Sequence, residues 1–348
     1  CAASMLTHPA TISGGTLSGS PSECVPHQLT HFISRRLLYL VPVWLGVSLL
    51  SFSLSNLAPG DPAELMLVRQ TGQAPSAEEV ARLREELGLN GHVAVRYARW
   101  LRGVAAGDLG TSYRTGAPVL QLLTSRFPST LQLALSAMLL GVLIAIPLGA
   151  VAAINRDSIT DHLARFVALV GASVPGFLVG YLLILFFAVT LRILPVAGSD
   201  GWRYLILPVF TLAIGEAAAL VRLTRANMLE VLGEDYVRTA RAKGAGRRRV
   251  YVRHALRNAL NPIVTLSGVR FGRLLGGAAI VETIFGRPGI GKTVVEAIQD
   301  RDYPVIQGFI LFAGTVFLLA NLLVDISYPW LDPRVRLDAD LRKYRAPS

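Results

Sequence analysis

Long apolar stretches separated by short polar ones run along most of the chain. The first, residues 37–58, follows Arg35 and Arg36 and contains no charged residue. Five further, mainly apolar stretches lie at residues 129–154, 164–191, 204–225, 262–283 and 305–327. Helices of this length cross a hydrocarbon core of about 30 Å at about 1.5 Å per residue. The pattern therefore predicts an all-α integral membrane protein with six transmembrane helices.

The polar segments divide the chain into four regions. Residues 1–30 are rich in Ser, Thr, Gly and Pro and are expected to form a disordered tail. Residues 31–126 combine the first transmembrane helix with an external subdomain. The other five transmembrane helices form a core at residues 127–331. Residues 332–348 are expected to form a cytoplasmic tail, because basic residues outnumber acidic ones there.

Composition and charge favour a membrane protein over a soluble one. The 348 residues are 52% apolar and 16% charged, whereas soluble domains carry about 25% charged residues. The net charge of +11 would suit a nucleic-acid partner, but the basic residues lie mainly in loops between apolar stretches. Both cysteines, Cys1 and Cys24, lie in the predicted tail, which excludes a disulfide framework in the body of the chain. We therefore expect membrane lipid around the chain, and neither nucleic acid nor a metal ion.

The most basic segment, residues 234–262, lies between the fourth and fifth apolar stretches. Short basic loops stay in the cytoplasm, so this loop predicts a multi-pass protein with both termini inside. Tyr236, Ala240 and Gly244 share one stripe of a short predicted helix, which Gly244 and Gly246 then end. This small-residue face is expected to pack against another protein. The alternative is a loop that only sets the topology.

Glu216, Arg270 and Arg273 are charged residues that lie in the interior of predicted transmembrane helices, away from the helix ends. Glu216 lies about 18 Å deep in the fourth helix and hence about 12 Å from its cytoplasmic side. Arg270 lies about 12 Å from the same side in the fifth helix, and Arg273 lies one turn further out. We therefore expect Glu216 to pair with Arg270 or Arg273 beside a polar pathway. In the alternative, the arginines extend to the membrane surface and Glu216 faces a water-filled vestibule alone.

Residues 286–293, GRPGIGKT, match the phosphate-binding pattern G-x-x-x-x-G-K-[ST]. A nucleotide-binding membrane enzyme is therefore a rival interpretation. The predicted topology places Lys292 outside the cell, where no nucleotide pool exists, and Pro288 removes one amide from the phosphate cradle. We instead expect an external re-entry loop that contains Pro288, Gly289 and Gly291.

Four sequence blocks carry a resemblance to a known family. They are RRLLYLVPVWLGVSLLSF with LAPGDPA, GDLGTSYRTGAPV, DYVRTARAKGAGRRRVYVRHALRNALNP and LLVDISYPWLDPRVR. Across residues 32–342 the chain resembles the B-type inner-membrane permease of dipeptide and oligopeptide ABC importers. The resemblance implies a type I ABC importer permease fold, with an external subdomain after the first helix, in the cell membrane of a prokaryote.

The third block resembles the EAA loop, the coupling helix of ABC importers that docks on the ATPase. The EAA pattern falls on Arg238-Thr239-Ala240, with its glycine at Gly244, so its Glu and first Ala are absent. The family's later proline would fall at Arg257, whereas this chain has Pro262. The coupling residues that the resemblance implies are Tyr236, Thr239, Ala240, Lys243, Gly244, Ala245 and Gly246.

The resemblance also implies a function and a set of partners. The chain would be a non-catalytic permease subunit of an ATP-driven peptide importer. Its partners would be a second, C-type permease in a heterodimer, two cytosolic ABC ATPases and an extracytoplasmic substrate-binding protein. It would bind no cofactor, because ATP and Mg belong to the ATPases. A channel or secondary transporter without an ATPase, and a permease for nickel or glutathione, are the alternatives.

Overall fold

A computed structural model describes residues 24–57 and 60–331. Every regular element in these residues is a helix, which confirms the all-α prediction for them. The helices are α1 (Cys24–Leu57), α2 (Pro62–Thr71), α3 (Ala77–Glu86), α4 (Val93–Ala105), α5 (Val119–Ile154), α6 (Ile159–Ser173), α7 (Gly176–Leu183), α8 (Arg203–Gly233), α9 (Asp235–Ala242), α10 (Arg247–Arg249), α11 (Arg257–Ile284), α12 (Ile290–Gln299) and α13 (Tyr303–Leu331). Two π-helical segments, Ile184–Thr190 and Val250–Leu256, extend α7 and join α10 to α11.

Helix α1 begins before the predicted membrane boundary. It starts at Cys24, so residues 24–30 are helical although they belong to the predicted disordered tail. Pro26 lies in the first turn, where a proline removes no helical hydrogen bond, and no glycine follows it within the next two turns. The rest of the predicted tail, residues 1–23, and the predicted cytoplasmic tail, residues 332–348, lie outside the described residues.

The predicted transmembrane helix at residues 164–191 consists of two helices, α6 and α7, bent by 100°. Pro175 explains this break, since it has no N–H and restricts Val174 to an extended conformation with φ −77° and ψ 127°. Among the described residues, three helices are long and apolar enough to cross a membrane, or five if each of two bent helix pairs is one span. The three are Val119–Ile154, Arg203–Gly233 and Tyr303–Val324, and Leu38–Leu54 is a shorter apolar helix.

The core centres on the contact between α5 and α8. Ala137, Gly141, Ala145 and Gly149 recur every fourth residue on α5 and are all buried. A Cβ atom on Gly149 would lie 2.5 Å from the Cβ atom of Thr224 in α8, so only glycine permits this approach. Small residues at this spacing bring two helix backbones close together, as they do in membrane-embedded helix pairs.

The helix directions define two ends of the bundle. Gly141 lies against Glu216 and Gly149 against Thr224, so α5 and α8 run parallel. The turn after α5 therefore shares one end with α9 and α10, which we call the basic end. Helices α2–α4, the loop at residues 106–118 and α12 lie at the opposite end, which we call the subdomain end.

A buried carboxylate attaches the subdomain end to the core. Asp302 precedes α13 and is 2% exposed. It accepts hydrogen bonds from the Ser112 hydroxyl at 2.5 Å, the Tyr113 amide at 3.1 Å and the Arg114 amide at 3.2 Å. The loop GDLGTSYRTGAPV is thus fixed to the start of α13.

Candidate functional site

Helix α9 is the short helix that the basic loop predicts. It ends at Ala242, and Gly244 adopts φ +80° beyond it. The Gly244 amide donates to the Arg241 carbonyl at 2.9 Å and the Ala245 amide to the Ala240 carbonyl at 3.1 Å, so the last turn is closed. A left-handed residue at this position favours glycine, because any side chain would be strained there.

The exposed surface of this loop differs from the predicted stripe. The Tyr236 hydroxyl accepts from Asn258 Nδ2 at 2.7 Å, and Ala240 is half-buried, so the stripe faces partly into the protein. Thr239, Lys243, Gly244 and Gly246 are exposed, whereas Ala245 is half-buried. The surface that remains open to another protein therefore consists of the end of α9 and its glycine turn.

The second part of the loop is continuous with α11. Residues 247–249 begin a helix that passes through a π-helical segment into α11, instead of forming a separate short helix. Pro262 lies inside α11 and does not end it. Within the described part of the chain, no carboxylate forms an ion pair with Arg247, Arg248 or Arg249. The basic end thus presents guanidinium groups beside α9 that pair with no carboxylate of residues 24–57 and 60–331.

A buried ion pair connects the α5–α6 turn to α8. Asp161 is fully buried and accepts from Arg225 Nε at 2.6 Å and Arg225 Nη2 at 2.7 Å. Sequence reasoning did not predict this contact. The available signal was the spacing of Ser158 and Asp161, since the Ser158 hydroxyl caps α6 by accepting from the Asp161 amide.

Glu216 and Arg270 form the ion pair that joins α8 to α11. Arg270 Nε lies 2.5 Å from Glu216 Oε2, and their side chains are 19% and 14% exposed. Gly141 of α5 packs against the Glu216 side chain, which encloses the pair from a third helix. Arg273, one turn further along α11, is exposed. Of the two predicted partners, the structure therefore selects Arg270.

The GRPGIGKT segment is closed by groups of its own protein. The Glu282 carboxylate is fully buried and accepts from the Thr130 hydroxyl at 2.6 Å and the Lys292 amide at 3.0 Å. The Ile290 amide donates to the Thr130 hydroxyl at 3.0 Å. A Cβ atom on Gly289 would overlap the Glu282 carboxylate. An internal carboxylate and hydroxyl thus occupy amides that a phosphate cradle would require.

Two glycines of the predicted re-entry loop pack against α11. Gly289 and Gly291 are buried and Pro288 is half-buried, and Gly291 lies in the first turn of α12, not in a loop. A Cβ atom on Gly291 would lie 2.5 Å from the Cα atom of Ala279 in α11. Sequence reasoning assigned no role to Glu282, which lies in the last turn of α11 and holds this loop in place.

Comparison with known families covers both halves of the chain. The family described as "Binding-protein-dependent transport system inner membrane component" matches residues 145–337. The N-terminal component of the same systems matches residues 29–134. Two solved structures of the MetNI methionine ABC transporter in inward-facing conformations have TM-scores of 0.52 and 0.53 at 17% and 19% identity. Each covers 61% of this chain and 97% of its own, which shows the fold alone.

Curated relatives match over most of their length. The probable peptide ABC transporter permease y4tP of Sinorhizobium fredii is 42% identical, and the dipeptide transport system permease DppB of Escherichia coli is 40% identical. The glutathione transport system permease GsiC of Salmonella paratyphi A is 41% identical. Each match covers 88% of this chain and 99% of the relative. The chain therefore belongs to the family of inner membrane components of binding-protein-dependent transport systems.

Proposed function

We propose that this chain is a permease subunit of an ATP-driven importer for dipeptides or oligopeptides. The chain forms the translocation pathway with a second permease and carries no catalytic site itself. The names of two relatives, a probable peptide permease and a dipeptide permease, support the substrate class. Binding of the substrate outside and hydrolysis of ATP inside then belong to other subunits.

The proposed topology has six transmembrane helices with both termini in the cytoplasm. The six proposed crossings are α1, α5, the bent pair α6–α7, α8, the bent pair Arg247–Gly276 and Ala278–Ile284, which bends inside α11, and α13. The basic end lies in the cytoplasm, because short loops rich in Lys and Arg remain there. The subdomain end then faces outward. This orientation excludes a nucleotide at Lys292.

The proposed assembly contains four kinds of subunit. This chain pairs with a C-type permease as a heterodimer, two ABC ATPases bind at the cytoplasmic side, and an extracytoplasmic protein delivers the substrate. ATP and Mg bind to the ATPases, and this chain binds no cofactor.

The observation that carries the coupling proposal is the open glycine turn at the basic end. A Cβ atom on Gly244 or Gly246 would meet nothing within 4 Å, although the glycine turn sits directly after a well-formed helix. The Asp161–Arg225 ion pair makes the base of α8 rigid, and α9 follows α8 after one residue. A push on α9 by an ATPase is therefore transmitted to α8 and, through the Glu216–Arg270 pair, to α11.

The proposed pathway follows the exposed face of α11. Val269, Arg273, Gly276 and Ile280 recur at helical spacing and are all exposed. An arginine inside a transmembrane helix is unfavourable against lipid and is found facing a polar cavity or another subunit. This face therefore lines the pathway between the two permeases, with the enclosed Glu216–Arg270 pair beside it.

A bulky residue at the glycine turn tests the coupling proposal. Gly244→Trp is expected to abolish co-purification with the ATPases and peptide uptake, while the chain still inserts into the membrane. Gly72→Trp is the matched control, because Gly72 also has positive φ (+70°) and open space but lies at the subdomain end. Normal uptake by the Gly244 variant would contradict coupling through this turn. Uptake without any ATPase would favour a channel or secondary transporter.

A glutathione importer is the second candidate, because GsiC of Salmonella paratyphi A is 41% identical. Uptake of a labelled dipeptide in competition with unlabelled dipeptides, longer peptides and glutathione separates the two candidates. Inhibition by glutathione alone would replace the peptide proposal.

A further inference from the structure

The subdomain end contains a cavity of about 680 Å³. Its walls come from the end of α1, from α3 and α4, from the loop at residues 108–113 and from the start of α13. Cavities of several hundred Å³ between structural units are typical ligand sites. The cavity is distant in sequence from the pathway face of α11 and from the basic end.

Helix α4 provides the cationic wall of this cavity. Arg96, Arg99, Trp100 and Gly103 line it and share one face of the helix. In the described residues the Arg96 guanidinium has neither a hydrogen bond nor an ion pair, and Arg99 donates only one long bond, at 3.4 Å, to the Gly88 carbonyl. The site thus holds a guanidinium group that is available to a ligand.

The third arginine of the cavity is already neutralised. Arg84 Nη1 lies 3.0 Å from Asp61 Oδ2, and Asp61 Oδ1 accepts from the Ala63 amide. The Asp61 carboxylate is therefore engaged by its own neighbours and does not compete for Arg96.

Two neutral donors also line the cavity. Burial raises the pKa of the Tyr113 hydroxyl to about 12, so this hydroxyl keeps its proton at neutral pH. Gln307 also lines the cavity, and Phe52 and Trp100 supply aromatic surface. A carboxylate beside Arg96 would find uncharged donors nearby and an apolar surface for the rest of the ligand.

The cavity also carries one carboxylate without a cation. Asp108 Oδ1 accepts from the Gly110 amide at 2.8 Å, and no Lys or Arg of the described residues forms an ion pair with Asp108. The Asp108 amide bonds to the Gly103 carbonyl at 2.8 Å, which places Asp108 beside Gly103 on α4. Arg96 precedes Gly103 by seven residues, or about 10 Å along the helix axis.

We infer that this cavity binds short zwitterionic peptides, with the C-terminal carboxylate at Arg96 and the N-terminal ammonium at Asp108. A chain of about three residues spans 10 Å at about 3.3–3.6 Å per residue. The inference rests on the proposed peptide-import function and adds a substrate site on the external subdomain. Peptides would bind there before they enter the pathway.

The test measures peptide binding to the complete membrane complex in nanodiscs without the substrate-binding protein. Titration calorimetry compares trialanine with N-acetyl-trialanine amide, which lacks both terminal charges. Arg96→Gln is expected to weaken trialanine binding about tenfold to a hundredfold, the range for a lost charge-assisted hydrogen bond. Arg102→Gln is the matched control, since Arg102 lies on the same helix but does not line the cavity. Asp108→Asn is expected to weaken trialanine binding as well.

Three results would overturn the inference. They are equal binding of the uncharged analogue, unchanged binding by Arg96→Gln, and an Arg96→Gln defect confined to association with the substrate-binding protein. If Arg96→Gln does not fold, Tyr113→Phe replaces it, because this variant removes only one donor from the cavity. Co-purification of the ATPases is measured on the same samples, and its loss would count against the proposed function instead.

Discussion

Two glycine-rich basic loops of this chain have similar compositions and opposite surroundings. In the loop after α9, Cβ atoms on Gly244 and Gly246 would meet no atom within 4 Å. In the second loop, which ends in the first turn of α12, Cβ atoms on Gly289 and Gly291 would overlap the Glu282 carboxylate or the backbone of α11. The first loop is an open surface, and the second is a packed part of the core.

The two loops differ in which groups pair with their backbone amides and their basic side chains. A buried carboxylate, Glu282, and a buried hydroxyl, Thr130, bind the amides of the second loop. At the open loop, the arginines that follow Gly246 lack acidic partners in the described residues. A glycine pattern with basic residues therefore indicates a ligand or partner only where the protein leaves its amides and cations free.

The largest expected effect comes from exchanging glycine for leucine in the two loops. Gly291→Leu should prevent accumulation of folded chain, because its side chain would overlap Ala279 of α11 and neither backbone can move without disrupting α11 or α12. Gly246→Leu, the matched variant, should fold normally, since Gly246 has φ −62° and open space. For each variant, the amount of chain inserted in the membrane and the thermal unfolding in detergent are measured. Equal stability of the two variants would remove the distinction between the loops.

The same comparison applies to two arginines one turn apart on α11. Arg270 is enclosed with Glu216, whereas Arg273 is exposed. Arg270→Gln should lower the free energy of unfolding by about 3–5 kcal/mol, because it leaves Glu216 buried without a counter-charge. Arg273→Gln should change stability little and instead alter uptake of acidic relative to basic peptides. A Glu216→Gln, Arg270→Gln double variant no better tolerated than either single variant would argue against the pair.

Sequence patterns predicted the helical character of the described residues, and the matching depths counted for Glu216 and Arg270 predicted their ion pair. Depth follows from counting residues along helices, so no tertiary information was required. The break at Pro175 lies inside the single helix predicted at residues 164–191, because a proline does not reveal whether the helix resumes in the same direction. The π-helical link through residues 250–256 had no signature in the pattern.

The buried carboxylates were the main omission. Sequence reasoning assigned no role to Asp161, Glu282 or Asp302, all of which are buried. Their partners are backbone amides or side chains from distant segments, such as Thr130 for Glu282 and Arg225 for Asp161. Only the folded chain brings these donors together, so a charge count cannot separate a buried acid from an exposed one.

Glu282→Gln should lower stability by about 1.5–3 kcal/mol, because it removes a charged acceptor from the Thr130 hydroxyl and the Lys292 amide. Glu296→Gln is the control, since its side chain is 43% exposed and surface ion pairs contribute at most about 1 kcal/mol. Chemical unfolding in detergent compares the two. A nucleotide that stabilised the Glu282 variant would show that removal of the internal carboxylate opens a phosphate site.

The smallest expected effect separates backbone strain from partner binding at the open loop. Gly244→Ala should lower stability by about 1–2 kcal/mol, because Gly244 has φ +80° and an L-residue is strained there. Gly246→Ala meets neither strain nor a neighbouring atom and should leave stability unchanged or slightly higher. Both variants add only one methyl group to an open surface. Peptide uptake, divided by the amount of chain inserted in the membrane, therefore reports the effect of that methyl group on contact with the ATPase. If Gly246→Ala lowers uptake without lowering stability, the ATPase contacts the backbone at Gly246. If only Gly244→Ala lowers uptake, the ATPase contacts the end of α9.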